Sequence, residues 1–326
     1  MKHVYGPVPS RRLGQSLGVD PILFKTCNYN CVYCQLGRTV PLTNERRDLF
    51  SPAEIMAEVE GALEQHRSAE IDFVTFVGQG EPLLCASLGQ LIRAVKTLSS
   101  IPVAVITNGS LLFERGVREE LYTADVVIPT LDAADEATFR AVNRAWPTLR
   151  LSRIVAGLEV FRQEFQGQLW VEVMLVRGLN DTEPVLQLLA EALNGIQPDR
   201  IQLNVPVRVP AEEWVEPADA EGLLRAMTIL GEVAEVVAPV DGRFDLGAKS
   251  SLVDGVVNIL RRHPLCQREL EETLRELAGE SADEIIWALE KHELVQCRDY
   301  RGEVFWTYGE GRYGLESRRD SRPAPV

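Results

Sequence analysis

The chain has 326 residues, 45% of them hydrophobic and 25% charged, with a formal net charge of −14. This is ordinary globular composition with length for two domains, and six cysteines in such a chain are not a disulfide framework. The acidic balance disfavours a large nucleic-acid partner, although Arg11, Arg12, Lys25 and Arg38 form a local basic group. No stretch approaches the ~20 apolar residues of a membrane span, and the opening MKHVYGPVPSRR lacks the apolar core of a secretory signal. The expected location is therefore the reducing cytoplasm.

Residues 4–14 are rich in Pro and Gly and read as irregular. A short strand is expected at 16–20, followed by a loop holding Cys27, Cys31 and Cys34. Ser51-Pro52-Ala53-Glu54 reads as a helix start, with Ser51 capping and Glu54 completing a capping box, and the helix runs to about 66. Residues 71–77 form a buried strand by their β-branched and aromatic content, ending in Gly78-Gln79-Gly80-Glu81-Pro82. A helix over 88–98 leads to a strand at 103–106 that ends at Thr107-Asn108-Gly109. After a helix near 113–122, the strand 125–128 runs into Pro129-Thr130-Leu131-Asp132. Helices follow at 136–143 and 149–165, then a strand at 169–176, a helix to about 193, a strand at 200–205 and a helix over 218–230.

These are six strand-then-helix units, so a parallel sheet with right-handed crossovers is expected. A closed eight-stranded barrel needs two more. The fold class is α/β, an incomplete (β/α)6 TIM-like barrel over residues 1–245. Beyond it, helices are expected at 252–262, 267–277 and 282–292, with a hairpin at 295–298 and 304–308. Three helices and a hairpin resemble a winged helix-turn-helix domain, here 246–308, and the polar tail 309–326 reads as disordered. Residues 251–308 carry a net charge of −5, and the third helix includes Asp283, Glu284 and Glu290. A DNA reader would place its contacts there, so protein contact, peptide recognition or a lid over the barrel is the expected role.

The chemistry centres on Cys27-Asn28-Tyr29-Asn30-Cys31-Val32-Tyr33-Cys34, three thiols spaced C-x3-C-x2-C with no cysteine upstream and none downstream before Cys85. A [4Fe–4S] cube normally takes four thiolates, and a closed zinc site takes four ligands. Three leave a position open to an external molecule, unless they form a zinc knuckle or are unrelated buried thiols. The spacing, with Tyr33 before the last cysteine, resembles the radical S-adenosylmethionine (radical SAM) superfamily. The resemblance implies one [4Fe–4S] cluster on Cys27, Cys31 and Cys34, with S-adenosyl-L-methionine chelating the unique iron. It also implies reductive cleavage to a 5′-deoxyadenosyl radical, hydrogen abstraction from a substrate, and flavodoxin or ferredoxin as electron donor.

The same resemblance carries further residues. Gly80-Glu81-Pro82 matches the Gly-Gly-Glu-Pro element that takes the methionyl amine, with Gln79 in place of its first glycine; alone it reads as a turn. Tyr33 would lie beside adenine. Asn108, Thr130 and Asp132 would face ribose or the methionyl carboxylate, or Asp132 would cap a helix. Asn180 and Asn204, on later strand ends, would face cofactor or substrate. Lys25 would anchor an anion near the loop or be solvated. Cys85 would face the cavity or pack in the core, Cys266 and Cys297 would pack, and the four histidines read as structural or surface residues.

Residues 4–37, especially Tyr5-Gly6-Pro7-Val8-Pro9-Ser10-Arg11-Arg12-Leu13-Gly14 and Cys34-Gln35-Leu36-Gly37, resemble an uncharacterised prokaryotic branch related to the wyosine-tRNA synthesis enzymes. Those carry extra cysteines before the radical motif, and this chain has none there. The leading expectation is a radical SAM enzyme of unidentified substrate. The alternatives are a wyosine-like tRNA-modifying enzyme and a non-catalytic iron–sulfur sensor acting through the winged helix.

Overall fold

A computed structural model describes residues 3–66, 70–238 and 251–313. Its first part is an eight-stranded sheet whose spatial order follows the chain. The strands are β1 (Val4–Ser10), β2 (Gly14–Val19), β3 (Phe73–Phe76), β4 (Val103–Thr107), β5 (Val126–Pro129), β6 (Gln168–Met174), β7 (Arg200–Asn204) and β8 (Ala234–Val236). Strands β2 to β8 run parallel, and β1 pairs antiparallel with β2. Among the described residues β1 and β8 do not pair with each other, so the sheet stays open.

The six expected strands are β2 to β7, and each of the crossovers leading out of β2–β7 carries at least one helix. These are α1 (Pro52–Gln65), α2 (Leu88–Leu98), α3 (Arg115–Leu121), α4 (Glu136–Val142), α5 (Leu151–Glu164), α6 (Glu183–Ile196) and α7 (Ala220–Leu230). Alternation sorts each strand between two cores. Val103 and Val105 of β4 join the helix-facing core with Leu91 and Ile92 of α2. Ala104 and Ile106 face the other way, with Val126, Ile128 and Trp170. Apolar residues on both faces are what a parallel sheet buried on both sides requires.

Three expectations need correction. Residues 4–10 are a strand rather than irregular chain. Pro7 and Pro9 lack an N–H, which an edge strand tolerates, and the register shifts between Tyr5 and Val8. The sheet has eight strands rather than six, the added ones being β1 and β8, and β8 at three residues is too short to show periodicity. Ser51 does precede α1, but its side chain makes no capping hydrogen bond. The Glu54 N–H donates instead to the Ser51 carbonyl at 3.0 Å.

The elements from residue 251 onward are α8 (Leu252–Leu260), β9 (Leu265–Cys266), α9 (Gln267–Ala278), α10 (Ala282–Lys291), β10 (Val295–Tyr300) and β11 (Glu303–Tyr308). Their strands form a sheet in the order β10-β11-β9. They enclose a core that includes Leu260, Leu270, Leu274, Leu289 and Trp306. The expected boundary at 245/246 lies outside the described residues.

This unit is fastened to the first. Arg262 Nε is 2.8 Å from Asp20 Oδ2, with both side chains buried. Phe24 meets Tyr308 edge-on with ring centroids 5.1 Å apart. Residues 314–326 of the expected disordered tail also lie outside the described residues, but 309–313 are ordered. The Arg312 carbonyl accepts from the Arg38 N–H at 2.5 Å, and Tyr313 Oη donates to the Gln35 carbonyl at 2.7 Å. Gly37 permits this approach, because a Cβ there would lie 2.6 Å from the Arg312 oxygen. No described helix is long and apolar enough to cross a membrane.

Candidate functional site

The loops leaving the C-terminal ends of β2 to β5 bring the cysteine stretch, Glu81, Asn108 and Asp132 together. Parallel α/β sheets present their ligand sites at this edge. Gly80 explains how β3 meets the cysteine loop: a Cβ there would lie 1.9 Å from the Thr26 carbonyl oxygen. The next residue seals the contact, with the Glu81 N–H donating to that same carbonyl at 2.9 Å.

Glu81 is 2% exposed. Its Oε1 accepts from Thr107 Oγ1 at 2.5 Å and from the Leu83 N–H at 2.9 Å, and its Oε2 accepts from the Asn108 N–H at 2.7 Å. Burial pushes its carboxyl up to about 7, against the opposing pull of these donors. A carboxylate offers about four acceptor sites. The three contacts therefore leave one for a ligand.

Asn108 joins this carboxylate to the cysteine loop. Its Nδ2 lies 2.7 Å from Asn28 Oδ1 and 3.8 Å from Cys27 Sγ. Asn28, fully buried, donates in turn to Asn44 Oδ1 and Ser110 Oγ, each at 2.8 Å. On the other side of the loop, Asn143 Nδ2 sits 2.6 Å from Asp132 Oδ2 and 3.7 Å from Cys31 Sγ. Lys25 is half-buried and engaged. Its Nζ donates to the Gly37 carbonyl at 2.6 Å and lies 3.1 Å from Cys34 Sγ.

Each of the three sulfurs thus faces one side-chain nitrogen donor. Burial pushes the Cys27 thiol up to about 12, and the Glu81 charge adds to this. Burial, Asp132 and the two other cysteines hold Cys31 well above the ordinary thiol range. Among the described residues no group of three or more His, Cys, Asp or Glu converges to hold a single metal ion.

Asp132 is 1% exposed and engaged through both oxygens. Oδ2 accepts from Tyr33 Oη at 2.6 Å and from Asn143, while Oδ1 accepts from the Met174 N–H at 2.8 Å. Burial raises its carboxyl to about 6. Thr130 is held by its N–H on the Thr107 carbonyl at 3.0 Å and bridges Glu172 of β6. Asn180 is internal to the fold, donating to the Asp132 and Met174 carbonyls at 2.9 and 2.8 Å. Asn204 donates to Glu172 Oε2 at 2.8 Å.

Cys85 is a core residue, 2% exposed beside Asp48 and Ser87. Cys266 caps α9, its sulfur accepting from the Glu269 N–H at 3.5 Å. Sequence reasoning passed over Asn28, Thr107 and Asn143. The first two lie inside stretches already singled out, but nothing in the sequence marks Asn143 at the end of α4.

Residues 22–190, which hold the three cysteines, Glu81, Asn108, Thr130 and Asp132, match the family described as the Radical SAM superfamily. The chain belongs to the radical SAM superfamily. The UPF0026 protein MJ1312 of Methanocaldococcus jannaschii is 33% identical over 310 residues, covering 94% of this chain and 96% of that one. GTP 3′,8-cyclase of Heliobacterium modesticaldum is 30% identical over 158 residues, 48% of this chain and 46% of the cyclase, so the match spans less than half of that enzyme. A structure of TYW1 with a lysine-pyruvate adduct bound shares the fold, with a TM-score of 0.52 and 19% identity over 66% of this chain and 72% of that chain.

Radical SAM superfamily members are enzymes, and they use a reductant with their substrate. The cofactors of this radical SAM protein are S-adenosylmethionine and a [4Fe–4S] cluster. The donor set fits such a cluster. Three thiols lie in one eight-residue loop, and N–H donors lie beside the sulfurs, where they tune a cluster.

Proposed function

We propose that this radical SAM protein is an enzyme that holds its cluster on Cys27, Cys31 and Cys34 and cleaves S-adenosylmethionine reductively to abstract hydrogen from a substrate. The observation that carries this reading is Asn108, whose backbone N–H lies on Glu81 and whose side chain lies beside Cys27. One residue thereby sets the distance between an amine acceptor and a cluster ligand.

When bound, the cofactor pair supplies one-electron cleavage of the sulfonium and the hydrogen-abstracting radical that follows. The chain's own residues position and exclude. Glu81, with Gly80 at its back, offers its remaining acceptor site to the methionyl ammonium. Thr107 and Asn108 hold that carboxylate in place, and Asn108 and Thr130 line the nucleoside side. Tyr33 would lie beside adenine, with Asp132 holding its hydroxyl. Asp132 holds Tyr33 and Asn143 in place through Oδ2 and the Met174 N–H through Oδ1.

The elements α8 to β11 support the winged-helix reading of the C-terminal unit, with the β10–β11 hairpin as wing. Its contacts on Gln35 and Arg38 favour a role as a clamp on the cysteine loop over nucleic-acid binding. A flavodoxin or ferredoxin would deliver the electron in the cytoplasm.

The test is spectroscopic. Anaerobically reconstituted and reduced protein should show a [4Fe–4S] electron paramagnetic resonance signal that changes on addition of S-adenosylmethionine. Cys31→Ala should lose the signal and its iron. A full signal in Cys31→Ala would contradict the ligand assignment.

A further inference from the structure

A cavity of about 1280 Å³ lies between the face of the sheet turned away from the helices and the C-terminal unit. Ser16, Thr75 and Ile106 line it from the sheet, and Gln35 lines it one residue beyond Cys34, so it opens beside the cysteine loop. The function described above leaves this space without an occupant.

Its walls carry five guanidinium groups; Arg262 pairs with Asp20 and Arg268 lies 3.7 Å from Glu272 Oε1, which leaves three from two segments. Arg11 and Arg12 come from the turn joining β1 and β2, and Arg208 follows β7. Arg12 Nη2 lies 2.5 Å from Glu172 Oε2, but its Nε is buried with no hydrogen-bond partner. Arg208 donates from Nε to the Pro264 carbonyl at 3.0 Å and contacts His263 Nε2 at 2.7 Å, with Glu269 Oε1 3.8 Å from its Nη2. Arg11 makes no hydrogen bond or ion pair among the described residues.

Desolvation and the neighbouring Arg208 and Arg12 bring the Arg11 guanidinium down to about 10, with Glu172 and Glu269 opposing. Burial, with Arg208 and Arg11, holds His263 well below its usual range, so it is neutral and adds no charge. The remaining acidic lining groups Glu70, Glu272, Glu276 and Glu303 are exposed. Solvated charges neutralise an inner cation weakly. Glu172 and Glu269 offset two of the three guanidiniums, so this partly buried wall keeps one unmatched cation, a cost that a bound anion would relieve.

We propose that this cavity receives the phosphoryl group of a small substrate, held by Arg11, Arg12 and Arg208. Phosphate is favoured over carboxylate because it carries more charge and three acceptor oxygens, which suits several guanidiniums at once. This deepens the proposed function by naming its substrate class, and it rests on that function only in treating the occupant as substrate.

Inorganic phosphate is the probe, titrated calorimetrically into the full chain without cluster or cofactor, so that failure of the radical reading leaves the test intact. Saturable binding with a Kd below about 1 mM is expected. Arg11→Gln should weaken it at least about tenfold, while Arg150→Gln, on an exposed side chain, leaves it unchanged. Arg11→Gln should also melt higher than wild type in phosphate-free buffer, because a half-buried unpaired charge is removed. Arg11→Lys should retain part of the affinity, which separates loss of charge from loss of fold.

Absence of saturable binding would overturn the proposal. So would equal affinity for acetate, or binding that Arg11→Gln leaves intact. In reconstituted protein, S-adenosylmethionine affinity should be the same in wild type and Arg11→Gln. A parallel loss there would overturn the assignment in favour of the cofactor's own carboxylate.

Discussion

Burial holds the Glu81 carboxyl near 7 in the absence of ligand, so at neutral pH it is about half protonated. An ammonium needs the ionised form. The affinity for S-adenosylmethionine should therefore be full above about pH 8 and fall about tenfold per unit once the pH is well below 7. Glu81→Gln should weaken binding and flatten that profile while leaving iron content unchanged. A wild-type affinity independent of pH between 6 and 8 would remove Glu81 from the contact. At this scale the sequence was readable where residues sit in short, dense stretches. Cys27, Cys31, Cys34 and Glu81 fall in two such stretches. Asn143 was not readable, because its place beside Cys31 and Asp132 depends on how α4 returns to the cysteine loop.

The β3 turn shows how an element fixes the site. Gly80 stands where a Cβ would meet the Thr26 oxygen at 1.9 Å and Ile22 Cγ2 at 2.7 Å. Gly80→Ala must push the turn away from the cysteine loop, at a cost of about 1–3 kcal/mol by analogy with overpacked cores. The expected readout is a lower melting temperature together with reduced iron loading. Normal loading would mean that the loop tolerates the shift. Gln79, which departs from the superfamily's glycine, has its own reason. Its Nε2 donates to Asp20 Oδ2 at 2.7 Å, a contact glycine lacks. The parallel strands were legible from their apolar runs, which both faces of the sheet demand. Strand β1 was not, since its prolines signal a turn unless an edge position is known.

Across the whole molecule, the same Asp20 ties the two units together. It accepts from Gln79 of the β3 turn and from Arg262 Nε at 2.8 Å. Burial raises the Asp20 carboxyl despite Arg262 and the Gln79 amide, so the pair is a connection held at a desolvation cost. Arg262→Met should strand the buried carboxylate and destabilise by about 3–5 kcal/mol. Adding Asp20→Asn should recover most of that loss in chemical denaturation. Additive losses would show that the two residues are not coupled. Long-range contacts of this kind, together with residues 309–313 on the cysteine loop, could not be read from local pattern. The helices and hairpin of the C-terminal unit were legible, but their docking was not.

The most direct test of the central claim is release of 5′-deoxyadenosine. Anaerobically reconstituted wild type and Cys31→Ala would be mixed with S-adenosylmethionine and dithionite, and the product followed over time. Release by wild type and none by Cys31→Ala is the predicted result. Equal release from both, or a wild type that holds zinc and no iron–sulfur cluster after reconstitution, would contradict the account.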